Sequence, residues 1–140
     1  TFEYILKGIM GLNADLDAFG LGELDYLTIE TDGSYHTSDI LKVAYENASA
    51  IGGTLDNMSI HEALNSPKIL EYNKLLSWNS LPEKCKICEY GRICGGGSLP
   101  HRYSPETGFQ NPTVYCQEMY SLITYAKASI LQELNEEATR

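Results

Sequence analysis

Four cysteines carry most of the chemistry this sequence can offer. They are Cys85, Cys88, Cys94 and Cys116, in the spacing C-x2-C-x5-C-x21-C. Three of them fall within ten residues, in the stretch "CKICEYGRICGGGS". Two thiolates two residues apart can grip one metal centre from a single turn. Cys94 can fold back across the short loop "EYGRI", and Cys116 must return from afar. Four thiolates suit either structural zinc or an iron–sulfur cluster. Zinc ribbons usually show two CxxC knuckles, and the second is missing here, which leans toward iron and sulfide. An even number of cysteines also allows two disulfides. Small secreted scaffolds carry far denser cysteine, however, so a CxxC pair joined by two more thiols points to metal in a reducing cytoplasm.

Other residues cluster around these thiols. Gly95, Gly96 and Gly97 follow the third cysteine directly. Such a run permits positive φ and close backbone approach, so that N–H groups can point at sulfur. Read blandly, the same run is a flexible loop. His101 and Arg102 come next as candidates for hydrogen bonding to a cluster, and Arg102 could offset its charge. Their structural reading is that His101 caps the turn and Arg102 pairs with a carboxylate. Phe109 and Tyr115 flank the return to Cys116 and are expected to shield the site from water. Trp78 and the ten tyrosines could stack on an aromatic substrate, but core packing is the commoner use. His36 and His61 have weaker claims, and His61 is expected at the surface.

The elements that must position these residues read as follows. Phe2, Ile5, Leu6, Ile9 and Met10 have helical spacing over 2–12. Gly11 or Gly20 could end that region, and 13–25 reads as a loop. Alternation around Asp32-Gly33 predicts a hairpin, with strands at about 26–31 and 34–38. Residues 40–58 are mixed, with a turn at Gly52-Gly53. Ser59 and Glu62 make a capping box for one short helix. Ser66 as N-cap, with Pro67 after it, starts another. Ile69, Leu70, Leu75 and Leu76 should face its core side, with Tyr72 beside them. From Leu81 to Tyr115 no period is sustained, and bound metal is expected to replace a hydrophobic core as the organising force. A final helix over about 117–136 carries one apolar stripe, Met119, Leu122, Ile123, Ala126, Ile130, Leu131 and Leu134. Cys116 therefore sits just before a helix N-terminus, whose partial positive charge favours a thiolate. The fold class is α+β: a small β-hairpin, short helices, a cysteine-rich loop region and a C-terminal amphipathic helix.

Bulk properties exclude several functions. The chain of 140 residues carries 19 acidic and 10 basic side chains, a formal net charge of −9. A binder of nucleic acid needs clustered Lys and Arg, so none is expected. No apolar run is long enough to span a membrane, and no signal peptide is visible. The acid-rich "QELNEEATR" reads as a solvated helix face. The sequence begins at Thr1 and reads as a piece of something longer.

The cysteine spacing resembles the SPASM domain, the C-terminal auxiliary-cluster domain of radical SAM enzymes. That family's pattern is an upstream pair C-x9-15-G-x4-C, then C-x2-C-x5-C-x3-C and one distant cysteine. Two 4Fe–4S clusters form in the full pattern. The resemblance assigns Cys85, Cys88, Cys94 and Cys116 to the second of them. The first is expected to be lost: Ser98 stands at the fourth cysteine of the central group, Gly33 matches the upstream glycine, and the cysteine after it is Ser38. "IETDGS", "CGGGSLPHRY" and "GFQNPTVYC" are similar to one subgroup, the maturases that build three-residue cyclophanes on ribosomally made peptides. There an aromatic ring carbon is joined to the β-carbon of a residue two positions on.

The resemblance implies residues 1–24 as the end of a radical SAM catalytic barrel, or a linker from it, and 25–140 as the auxiliary domain. It implies one 4Fe–4S cluster here. S-adenosylmethionine and a further 4Fe–4S cluster would belong to the catalytic domain. This chain has no CxxxCxxC motif, so no catalytic residue is assigned and the fragment should be inactive alone. Implied partners are its own catalytic domain, a precursor peptide and an external electron carrier, in the cytoplasm. The cluster would relay electrons, scaffold the substrate site, or both. The competing reading is a structural zinc-binding or protein-interaction module built on the same four cysteines.

Overall fold

The computed structural model describes residues 2–12 and 21–139. Helix α1 spans Phe2–Ile9 and buries Ile5, while Phe2 and Met10 stay exposed. Gly11, at φ +74°, ends this turn. The expected loop over 13–25 lies mostly outside the described residues, as does Gly20.

Three antiparallel strands follow, β1 (Thr28–Ile29), β2 (Ser34–His36) and β3 (Ala50–Thr54), in the order β1-β2-β3. The hairpin forms where Asp32-Gly33 predicts it, with Ile29 opposite Tyr35. Gly33 takes φ +82°, and the Asp32 carboxylate accepts the Ser34 backbone N–H at 2.9 Å. Both strands are shorter than the alternation suggested. The third strand is a correction. Gly52 and Gly53, expected as a turn, lie inside β3 beside a register shift in β2. A Cβ at Gly53 would stand 2.7 Å from the Met58 sulfur. Here glycine serves close approach and not reversal of the chain.

A 3-10 turn (Asp39–Val43) links β2 to β3. Helix α2 (Ile60–Leu64) starts on the full capping box of Ser59 and Glu62. Helix α3 (Pro67–Leu75) starts on Ser66, whose side chain accepts the Ile69 N–H. Each cap of this kind stabilises its helix by about 1 kcal/mol. On α3, Ile69, Tyr72 and Leu76 are buried and Leu75 is half-buried. Leu70 is 59% exposed, which corrects the expectation that it faces the core. Its position on the helix places it opposite Tyr72.

The aperiodic stretch after Leu81 holds α4 (Glu83–Lys86), α5 (Gly91–Cys94) and a 3-10 turn (Leu99–Arg102). These are single turns, too short to show a period in sequence. Helix α6 (Cys116–Ala138) closes the chain. Two apolar cores result. One gathers Leu24, Leu41, Ala48, Tyr72, Leu76, Leu99 and Phe109 under the 3-10 turns. Its polar ties are Tyr72 Oη to the Ala48 carbonyl and Leu24 N–H to Asn73 Oδ1. The other packs Ile5, Tyr90, Ile123 and Ala126 where α1 meets α5 and α6. The α6 stripe is covered only in part. Leu131 and Leu134 are 53% and 56% exposed, because nothing described packs against the last turns. Among the described residues no helix is long and apolar enough to cross a membrane. The α+β class read from the sequence is the fold observed.

Candidate functional site

The four cysteines come together. Cys85, Cys88, Cys94 and Cys116 all line one cavity of about 240 Å³. Tyr90, Gly91, Gly96, Pro112, Thr113, Tyr120 and Ile123 complete most of its wall. Each thiol is delivered by a different local device. In α4 the Pro82 carbonyl accepts the N–H of Cys85 at 2.9 Å, and the Cys85 carbonyl accepts that of Cys88 at 3.3 Å. The Tyr90 carbonyl accepts the N–H of Cys94 at 2.7 Å. Cys116 opens α6, held by its N–H to the Thr113 carbonyl at 3.1 Å.

The glycines do what the sequence asked of them, and more. Gly95, Gly96 and Gly97 take φ of +60°, +79° and +75°. A Cβ at Gly97 would lie 2.7 Å from the Thr113 side chain. The Gly96 carbonyl accepts the Thr113 N–H at 3.0 Å, so the turn is stitched to the segment that returns Cys116. The Gly96 N–H donates toward the Cys94 sulfur, which favours its thiolate. Gly91 went unnoticed in the sequence. A Cβ there would sit 2.1 Å from the Cys85 carbonyl oxygen. The signal was available, since a glycine between two candidate ligands in a tight loop signals close approach.

Burial raises the thiol of Cys94, to about 11, with the charge of Cys85 adding to the effect. Burial also raises Cys85, and the Arg102 cation works against it. These thiols become thiolates at neutral pH only if something cationic binds them. Among the described residues no three His, Cys, Asp or Glu side chains are gathered as a single ion requires.

The remaining candidates divide. Arg102 is buried beside the site; among the described residues it pairs with no carboxylate, and it donates to the carbonyls of Phe109 and Leu75. His101 is exposed and packs edge-on against Tyr115 at 4.9 Å between ring centres. Phe109 belongs to the first core, against Tyr72 and Tyr103, and Tyr115 is half-exposed. Neither lines the cysteine cavity; Tyr90, Pro112 and Ile123 do so instead. Trp78 lies under the Arg92 guanidinium at 4.2 Å. The ring nitrogens of His36 meet Ser34 and Ser49 in the hairpin, and His61 is exposed on α2. Ser38 and Ser98 each precede a 3-10 turn, and those two turns pack on each other.

No protein-family model matches the chain. Over 107 residues, 76% of its length, it is 27% identical to the cysteine-type anaerobic sulfatase-maturating enzyme of Clostridium perfringens. It covers 27% of that enzyme, so it spans about a quarter of the relative's length. Among solved structures it is similar to native anSMEcpe with bound AdoMet, with TM-score 0.72 and 26% identity over 96% of this chain and 35% of that one. The same protein with AdoMet and Cp18Cys peptide gives TM-score 0.73 and 26% identity, over 96% and 36% of the two chains. The similarity, at low identity, is to an anaerobic sulfatase-maturating enzyme, of the radical SAM/SPASM maturase family.

Proposed function

We propose that the chain is an auxiliary 4Fe–4S domain of a radical SAM enzyme that modifies ribosomally made peptides by carbon–carbon cross-linking of the cyclophane kind. The observation that supports it most is the convergence of Cys85, Cys88, Cys94 and Cys116 on one cavity. An all-thiolate donor set suits iron and sulfide, or zinc. Zinc would need its four sulfurs about 2.3 Å from a single point. The absence of a second CxxC knuckle favours iron and sulfide.

When bound, such a cluster supplies one-electron redox chemistry. The chain's residues do the rest. Cys85, Cys88, Cys94 and Cys116 would hold the cluster, leaving no open position for substrate. Tyr90, Pro112 and Ile123 keep water away, and the Gly96 N–H stabilises charge on Cys94. In this reading the domain relays an electron toward an external carrier and holds the substrate site in shape. Its partners are its own catalytic domain, with S-adenosylmethionine and a further cluster there, and a precursor peptide in the cytoplasm. The peptides bound in the solved relatives support that substrate class. Ser38 and Ser98 stand where the first auxiliary cluster's ligands would be.

The test is anaerobic purification. The chain is expected to be brown and to hold about four irons, as a cubane ligated by four cysteines requires. A colourless protein with one zinc would overturn the reading. Serine at each cysteine then separates the roles. Loss of fold with loss of cluster means scaffold; a folded, peptide-binding but inactive full-length enzyme means relay.

A further inference from the structure

Arg102 is the one charged side chain buried among the described residues, at 1% exposure. Its Nε and Nη2 donate to the Phe109 carbonyl at 3.2 and 2.9 Å, and Nη1 donates to the Leu75 carbonyl at 3.2 Å. These three bonds engage each guanidinium nitrogen, but a carbonyl does not cancel its charge. No Asp or Glu among the described residues pairs with it. A buried ion without a counter-ion is costly, and stable proteins rarely keep one.

The missing counter-charge lies across one glycine. A Cβ at Gly96 would stand 3.5 Å from Arg102 Cδ and 3.6 Å from Nε, and Gly96 forms part of the cysteine cavity wall. Arg102 therefore runs directly behind that wall. Its charge reaches both Cys85 and Cys94. The other nearby cations differ. Lys84 lines the cavity but is exposed, and Arg92 is exposed over Trp78. Water and salt screen them, whereas a buried charge is screened far less.

We infer that Arg102 is the fixed counter-charge of the four-cysteine site, raising the reduction potential of the thiolate-bound iron–sulfur group and selecting for an anionic occupant. This rests on the function proposed above. A nearby buried cation stabilises the state with the added electron, so its removal makes reduction harder.

The experiment compares the full chain and its Arg102 variants after loading with iron and sulfide, by redox titration followed spectroscopically. Arg102→Gln keeps a donor for the Phe109 carbonyl and drops the charge. Its potential is expected to shift to more negative values. Arg102→Lys keeps the charge and gives up the fork of hydrogen bonds. It should lose stability while its potential stays near that of the wild type. If the glutamine variant does not fold, Arg102→His makes the same comparison within one protein. Its potential should become more negative than the wild type's as the imidazole loses its proton. Equal potentials in a loaded glutamine variant and wild type, or a histidine variant that follows the wild type at every pH, overturn the inference alone. A wild-type chain that takes zinc and no iron removes the proposed function as well, and this inference with it.

Discussion

At Gly91 two effects of one methyl group oppose each other. Alanine in place of glycine within a helix normally stabilises by up to about 1 kcal/mol. Here the added Cβ would fall 2.1 Å from the Cys85 carbonyl oxygen, which is backbone and cannot rotate away. Forced overpacking of this kind costs about 1–3 kcal/mol, and more where backbone must move. The clash wins. Gly91→Ala is expected to lower the urea midpoint and to cut metal content, because α5 must back away from Cys85. Gly22→Ala, with nothing among the described residues within 4 Å of its Cβ, serves as the control and should leave both unchanged. An unaltered metal content in Gly91→Ala would show that Cys85 and Cys94 need not lie this close.

Helix α6 illustrates the same contest at the scale of an element. Its sequence offers one long apolar stripe, but among the described residues only its first half has packing partners. Ile123 is fully buried against α1 and Tyr90, while Leu131 is 53% exposed. Ile123→Ala should cost about 2–5 kcal/mol by chemical denaturation, the usual range for an aliphatic core truncation. Leu131→Gln should stay within about 0.5 kcal/mol of wild type, as exposed substitutions do. A cost at Leu131 equal to that at Ile123 would reveal a covering partner in solution. The stripe was legible in the sequence; which half of it is used was not. Periodicity reports a helix's amphipathic face, whereas burial depends on how far the neighbouring elements extend. The same limit explains Leu70, which the period on α3 assigned to the core and the packing left outside.

For the whole molecule, the cysteine site ties stability to pH. Cys94 has a folded-state value of about 11 against an ordinary thiol value of 9.0. Between those values the unfolded chain has lost the proton and the folded chain retains it. The unfolded state then binds fewer protons, so stability falls as pH rises. The metal-free chain should therefore lose stability from about pH 9.0 to 11, and a urea midpoint that is flat across this window would contradict it. Loaded with metal, the thiolates are already formed, and the dependence reverses: acid competes with metal for sulfur. Loss of bound metal on acidification, followed by absorbance, checks that half.

Much of the fold was present in the sequence wherever chemistry is local. The Asp32-Gly33 hairpin, the caps at Ser59 and Ser66 and the helix after Cys116 depend on residues a few positions apart, so local pattern finds them. Strand β3 was not legible, because Gly52-Gly53 reads as a turn until β2 is seen paired beside it, and that pairing reaches across the intervening 3-10 turn. The spacing of Cys85, Cys88, Cys94 and Cys116 named a candidate donor set by itself, since thiolate chemistry is a property of residue type. Only the tertiary structure decided that these thiols line one cavity, that Phe109 belongs to the core and not to the cavity, and that Arg102 lies buried behind Gly96 with no acid among the described residues to meet it. Those are outcomes of packing between segments far apart in the chain, where burial and distance turn an ordinary arginine into an unscreened charge.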